Sequence, residues 1–228
     1  MGKAERIVVF DWGGVVVRIC RSWQQGCERA GLPYDAAYDT PEIAEQRYAA
    51  SKRYEVGAIG ADEFLEAVAA TMNNRYSAED IRRVHEAWLI EEYPGAAELI
   101  VKLSRHDSID TGLLSNTNHL HWLEHLAEHE GGTNRFPAVR ALRHRHASHL
   151  LGIAKPDAAI FEAFEHHAGY RPEHVVYFDD LQANVDAAAR RGWDAVLVDH
   201  AGDTAKQMRS ALVERGLLTN GPPETHRV

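Results

Sequence analysis

At 228 residues and 45% hydrophobic content, the chain can bury a substantial core and is long enough for one domain carrying a large insertion. A formal charge of −9 excludes general affinity for nucleic acid, which needs excess Lys and Arg, but leaves small anionic substrates open where a metal or local cations offset the field. Cys20 and Cys27 have neither zinc-ligand spacing nor a disulfide framework, and no apolar leader or membrane-length run occurs, so a soluble cytoplasmic chain with buried thiols is expected.

The first predicted element is a strand, Ile7 to Phe10, apolar enough to be buried on both faces; Asp11 falls at its carboxyl end, where open α/β sheets bind ligands, and Gly13-Gly14 turn the chain away. From about Arg18 to Glu92 apolar residues recur at helical spacing with no convincing strand. Helices are expected over Ser22 to Ala30, Pro41 to Tyr54, Ala61 to Met72 and Ser77 to Ile90, with Asp62 and Ser77 near starts and Gly31, Gly57 and Gly60 as stops. Cys20 and Cys27, at i, i+7, could share one helix face. Beyond Tyr93-Pro94-Gly95 the pattern alternates: helix Ala96 to Arg105, strand Asp110 to Leu114, a helix from near Asn118, helix Asp157 to His167, strand His174 to Phe178, helix Gln182 to Arg191, strand Ala195 to Val198 and helix Thr204 to Arg215. Pro137 to Leu142 could add a strand, and Thr219 to Val228 is expected to fray. Alternating β and α units imply a parallel sheet covered by helices on both faces, with right-handed crossovers.

Four strand ends then carry polar residues in order: Asp11; Ser115-Asn116 after Gly112-Leu113-Leu114; Lys155-Pro156; and Asp179-Asp180 after Val175 to Phe178. Together these resemble the four motifs of the haloacid dehalogenase superfamily of phosphotransferases, and the helical insertion sits where that superfamily carries its cap. The stretch Leu114-Ser115-Asn116-Thr117-Asn118 with Leu120-His121, the pair Asp179-Asp180 with Asn184, and Tyr54-Glu55-Val56-Gly57-Ala58-Ile59 before Glu63-Phe64 are similar to the branch containing bacterial α-glucose-1-phosphate phosphatases. The resemblance implies an α/β fold, a Rossmann-like parallel core over 1–17 and 93–228 with an all-helical cap over 18–92. It also implies an Mg²⁺-dependent phosphatase of a small phosphorylated metabolite, a sugar 1-phosphate for preference, working as a monomer or homodimer.

Each residue type suits that chemistry. A carboxylate attacks a phosphate dianion only when repulsion is cancelled, so Asp11 as nucleophile needs a metal and a cation nearby. By the family pattern, Asp11, the residue 13 carbonyl and Asp180 hold Mg²⁺, and Asp179 binds through water or orients the others. Ser115 and the Asn116 amide hold phosphoryl oxygens, and Lys155 bridges Asp11 and phosphate. The departure is Gly13, where most phosphatases of the superfamily carry a second Asp that protonates the leaving group. General acid-base help of that kind is commonly worth about 10²- to 10⁴-fold. The sugar-phosphate branch also has Gly there, and a hemiacetal oxygen leaves without much protonation; His121, His119 or a cap residue could otherwise supply the proton.

Plainer readings stand beside these. Trp12 is a packing or cap-interface residue before it is a substrate-stacking one. His121, His125 and His129, at i, i+4, i+8 beside Glu124 and Glu128, read as a solvated helix face rather than a metal site. Arg143, His144, Arg145, His146 and His149 read as a basic loop. Lys52 would allow a phosphonatase-type Schiff base, though the cap around it does not match; dehalogenation needs no metal site of the Asp179-Asp180 kind. The alternative of another class is a weakly catalytic regulatory or binding protein that keeps the phosphate site.

Overall fold

The computed structural model describes residues 4–219. In chain order the elements are β1 (Arg6–Phe10), β2 (Val17–Ile19), α1 (Trp23–Arg29), α2 (Pro41–Glu55), α3 (Ala61–Thr71), α4 (Ala78–Trp88), β3 (Leu89–Glu92), α5 (Ala96–Ser104), β4 (Ile109–Ser115), α6 (His119–Leu123), β5 (His144–Ala147), α7 (Ser148–Leu151), α8 (Ala158–Ala168), β6 (Val175–Asp179), α9 (Gln182–Arg191), β7 (Asp194–Leu197) and α10 (Thr204–Glu214). Five strands form one parallel sheet in the order β5-β4-β1-β6-β7. Strand β1 is central, and the connections leave it in opposite directions, which opens a crevice at its carboxyl end.

The apolar runs are buried on both faces because alternate residues feed two cores. Val8, Phe10, Val176 and Phe178 pack with Leu99, Leu103, Met208 and Leu212 of α5 and α10. Ile7, Val9, Val175 and Tyr177 pack with Ile160, Phe161, Phe164 and Ala188 of α8 and α9 on the opposite face. A third cluster, including Trp23, Tyr54, Phe64, Val68, Tyr76, Ile81 and Val84, belongs to the inserted helices. Their ends follow local chemistry: Thr40 caps α2 with Pro41 at its first turn, and Ser77 and Asp80 form a reciprocal capping box on α4.

Four expectations are corrected. Residues flanking the insertion form an antiparallel ribbon, β2 with β3, pairing Val17 with Glu92 and Arg18 with Glu91, so the unit is not wholly helical where the chain enters and leaves it, and α4 stops at Trp88. Pro137 to Leu142 is a 3-10 turn over Pro137–Ala141, since its proline cannot donate to a ladder. The basic stretch His144–Ala147 is instead strand β5, satisfying backbone groups along the open side of β4. Gly60 opens α3 as its N-terminal cap rather than stopping a helix, with Asp62 in the first turn as expected, and Cys20 precedes α1, so the two buried thiols share no helix. The expected tail lies outside the described residues beyond Thr219. No helix among the described residues is long and apolar enough to cross a membrane.

Candidate active site

The carboxyl ends of three adjacent strands, β4, β1 and β6, converge. The Asp11 amide donates to the Phe178 carbonyl at 2.8 Å, fixing the residue beside β6. Asp11 and Asp179 face Lys155, whose Nζ lies 2.9 Å from Asp11 Oδ1 and 2.8 Å from Asp179 Oδ2 and is 1% exposed. The ammonium also donates to the Leu114 carbonyl and the Tyr177 hydroxyl, each at 2.8 Å. Its backbone is braced by Asn116, whose side-chain amide accepts from Lys155 N at 2.8 Å and donates to Lys155 O at 2.9 Å. The Asn116 side chain is thereby committed, leaving its backbone amide for any ligand.

Electrostatics separates the three acids. Burial, with Asp179 and Asp180 adding repulsion against the pull of Lys155, pushes Asp11 up to about 7. Burial also raises Asp179, but Lys155, Tyr177 and the Leu181 amide outweigh it, and this carboxyl lies below its ordinary value. Burial raises Asp180 despite Arg21, whose Nη1 lies 2.8 Å from Asp180 Oδ2. For Lys155 burial acts downward, yet Asp11 and Asp179 prevail and hold it above its usual value.

Asp11, Asp179 and Asp180 offer oxygens all within 4.8 Å of one another. Asp179 is spent: Oδ1 accepts from Leu181 N at 2.8 Å and Asn184 Nδ2 at 3.0 Å, and Oδ2 serves Lys155, Tyr177 and Asn184. Asp11 Oδ1 and Asp180 Oδ2 are buried with ion-pair neighbours but no directed hydrogen bond. Two such hard oxygens beside a third, fixed carboxylate fit Mg²⁺. Gly14 makes this approach possible: its φ is +86°, and a Cβ there would fall 2.2 Å from Asp180 Oδ2.

A cavity of about 520 Å³ opens above, between the sheet edge and the inserted helices, reaching Gly13, Ser115 and Asn116 below and Tyr54, Phe64 and His85 above. Ser115 is buried in the cavity floor. Trp12 borders the cavity but is 1% exposed, its ring edge-on to His125 and Phe136, which makes it a packing residue. A Cβ on Gly13 would meet Ile19 Cδ1 and Cγ2 at 3.3 Å, so an apolar side chain occupies the space where a second carboxylate would begin.

The histidines differ most from expectation. Helix α6 ends at Leu123, so His121, His125 and His129 share no face, and His121 and His125 are buried rather than solvated. His121 stacks on His85 of α4, ring centroids 3.8 Å apart, and its Nε2 lies 2.9 Å from the His85 carbonyl, which as an acceptor requires Nε2–H. Asn118 accepts from the His121 amide at 3.1 Å and lies 3.0 Å from His85 Nε2. With the Leu120 amide donating to Tyr54 Oη at 3.2 Å, and Gly57, φ +67°, packed where a Cβ would come 2.8 Å from the His149 carbonyl, these contacts latch the insertion to the core. His119 is exposed.

Burial holds His121 down to about 4, and burial with the His121 charge holds His85 well below its ordinary value. The unfolded chain therefore takes up protons first, so this stability is complete above about pH 6.5 and lost as pH falls toward 4. Relative to wild type, His121→Gln should flatten the loss of urea-unfolding free energy over that range, by on the order of 2–3 kcal/mol. An unchanged slope would contradict a neutral, stacked pair.

Tyr177 and Arg21 were not expected at the site. Tyr177 precedes Asp179 by two residues on a strand, the one available sequence cue for a shared face; Arg21 arrives through the β2–β3 ribbon, which has none.

A parallel sheet with a carboxylate after its central strand, a buried lysine and an acid pair beneath an inserted unit defines a hydrolase of one family. Residues 5–192 match the haloacid dehalogenase-like hydrolase family, and the chain belongs to it. It is 25% identical over 220 residues to Phosphatase MT3486 of Mycobacterium tuberculosis (strain CDC 1551 / Oshkosh), covering 96% of this chain and 89% of that protein. Its fold is similar to an HAD family enzyme from Bacteroides thetaiotaomicron, solved in complex with magnesium and inorganic phosphate (TM-score 0.72, 22% identity, 90% of this chain and 99% of that one). It is also similar to a predicted HAD-like family hydrolase from Porphyromonas gingivalis (TM-score 0.71, 23% identity, 92% and 98% covered).

Proposed function

We propose that this hydrolase is an Mg²⁺-dependent phosphomonoesterase of a small phosphorylated metabolite, working through a phosphorylated Asp11. The observation that carries the reading is Asp11 at the central strand end, held 2.9 Å from buried Lys155 beside two further carboxylates. The phosphatase relative and the magnesium and phosphate complex of the Bacteroides thetaiotaomicron enzyme support it. The division follows the same logic: 1–17 and the chain from 93 onward form the catalytic core, and 18–92 the cap that closes over it.

Asp11, the Gly13 carbonyl and Asp180 would hold Mg²⁺, with Asp179 orienting Lys155 and its neighbours. When bound, Mg²⁺ supplies charge neutralisation between carboxylate and phosphate. An Asp11 oxygen attacks phosphorus, the ester P–O bond breaks, and its electron pair departs with the leaving oxygen. Lys155 neutralises the attacking side, while the Ser115 hydroxyl and Asn116 amide hold phosphoryl oxygens. Water then attacks phosphorus, phosphate leaves, its protons balanced by solvent, and the Asp11 carboxylate returns.

Gly13 and Ile19 put no acidic side chain where the second carboxylate would begin, which favours substrates that depart without protonation. A sugar 1-phosphate, whose hemiacetal oxygen is more acidic than an ordinary alcohol, suits this requirement. Phosphate release across a series of aryl phosphates, and from sugar 1- against 6-phosphates, should fall steeply as leaving-group pKa rises. A flat dependence would show that another group supplies the proton. Release no greater than from Asp11→Asn would instead favour a binding protein that keeps the phosphate site.

A further inference from the structure

Two arginines border the cavity, Arg21 and Arg47. Arg47 is committed within the insertion: it pairs with Asp39, donates to the Tyr38 carbonyl at 2.9 Å and lies over the Trp23 ring. Arg21 is placed differently. It follows β2, two residues beyond Ile19, the side chain that fills the space beside Gly13. Its guanidinium lies 2.8 Å from Asp180 Oδ2, with the other terminal nitrogen 2.6 Å from where a Gly14 Cβ would stand. Its side chain is 35% exposed while that of Asp180 is 2% exposed, so the pair joins an open cation to a buried acid.

Charge makes this arrangement provisional. Asp180 Oδ2, like Asp11 Oδ1, is a buried carboxylate oxygen without a directed hydrogen bond, and Asp180 belongs to the carboxylate set that fits Mg²⁺. Arg21 and a divalent cation therefore compete for one carboxylate. A guanidinium released from Asp180 stays on the cavity wall, beside the Gly13 edge that lacks an acid.

Resting on the phosphatase reading above, we propose that Arg21 is a catalytic residue of this site, sharing Asp180 with the metal and, once Asp180 is engaged, stabilising the phosphoryl and leaving oxygens of the substrate. As the ester P–O bond breaks, its electron pair passes to the leaving oxygen, whose charge Arg21 offsets. Arginine keeps its proton at all relevant pH, so that oxygen is protonated by solvent water. Arg21 thus supplies electrostatic stabilisation where Gly13 supplies no acid.

The effects on metal and phosphate should have opposite signs. In Arg21→Gln, titration calorimetry with Mg²⁺ should show tighter binding than wild type, because a competing cation has been removed. At saturating Mg²⁺, inorganic phosphate should bind about tenfold more weakly, the scale of one lost charge-assisted hydrogen bond. Turnover of aryl phosphates should drop by about 10²-fold with steeper leaving-group dependence, and Arg21→Lys should recover part of the phosphate affinity. Mg²⁺ and phosphate both weakening together, or an unchanged leaving-group dependence, would overturn the role of Arg21. A wild type that binds both but hydrolyses no ester would overturn the phosphatase reading, while the opposed affinity shifts would still decide whether Arg21 faces phosphate.

Discussion

Lys155→Met is expected to lose about 3–5 kcal/mol of unfolding free energy and about 10²- to 10³-fold in turnover. The ammonium lies between Asp11 and Asp179, at 2.9 and 2.8 Å, and its removal leaves two buried carboxylates facing each other. Methionine fills similar volume, so the loss reports charge and hydrogen bonding rather than a cavity. The Leu114 carbonyl also loses its donor from this side chain, while the Tyr177 hydroxyl still serves Asp179. Because Lys155 opposes the upward pull of burial on Asp11 and keeps Asp179 low, the deficit should shrink as pH falls and the carboxyls take up protons. Urea unfolding at several pH values measures the first effect and phosphate release the second. A variant with the wild-type midpoint at pH 8 would mean that the buried ion pairs are not what fixes this site.

The parts legible in the sequence were those with local signatures. Ile7 to Phe10 and Val175 to Phe178 are short, continuous and apolar, which only strands buried on both faces require, and each ends on a carboxylate. Pro41 and Ser77 mark helix starts by local chemistry alone. What was illegible depends on partners distant in sequence. The β2–β3 ribbon joins Val17 to Glu92, and neither strand is long enough to show a period of two against the helical spacing around it. Strand β5 is rich in His and Arg because it sits at a sheet edge, so composition suggested a loop. His121 and His125 looked solvated because the pattern assumed a helix longer than α6, and the imidazole of His85 that covers His121 comes from the insertion. Arg21 was invisible for the same reason as the ribbon that delivers it.

Asp11→Asn should combine the largest loss of activity with no loss of fold. An amide cannot attack phosphorus to give a hydrolysable acyl phosphate, so turnover should fall on the order of 10⁴-fold or more. Stability should move the other way. The folded Asp11 carboxyl, at about 7, keeps a proton that the unfolded chain surrenders near 3.8, so its contribution is full below about pH 4 and is lost as pH rises toward 7. Asparagine carries no charge to repel Asp179 and Asp180, and the variant should be at least as stable as wild type at pH 8 without divalent cation. The decisive measurement is Mg²⁺-dependent phosphate release from an aryl phosphate and a panel of sugar phosphates by wild type and Asp11→Asn, with chelator as control. Release by wild type that chelator and Asp11→Asn both abolish, from a variant of undiminished stability, is the expected outcome; equal release by the two proteins would show that Asp11 is not the nucleophile.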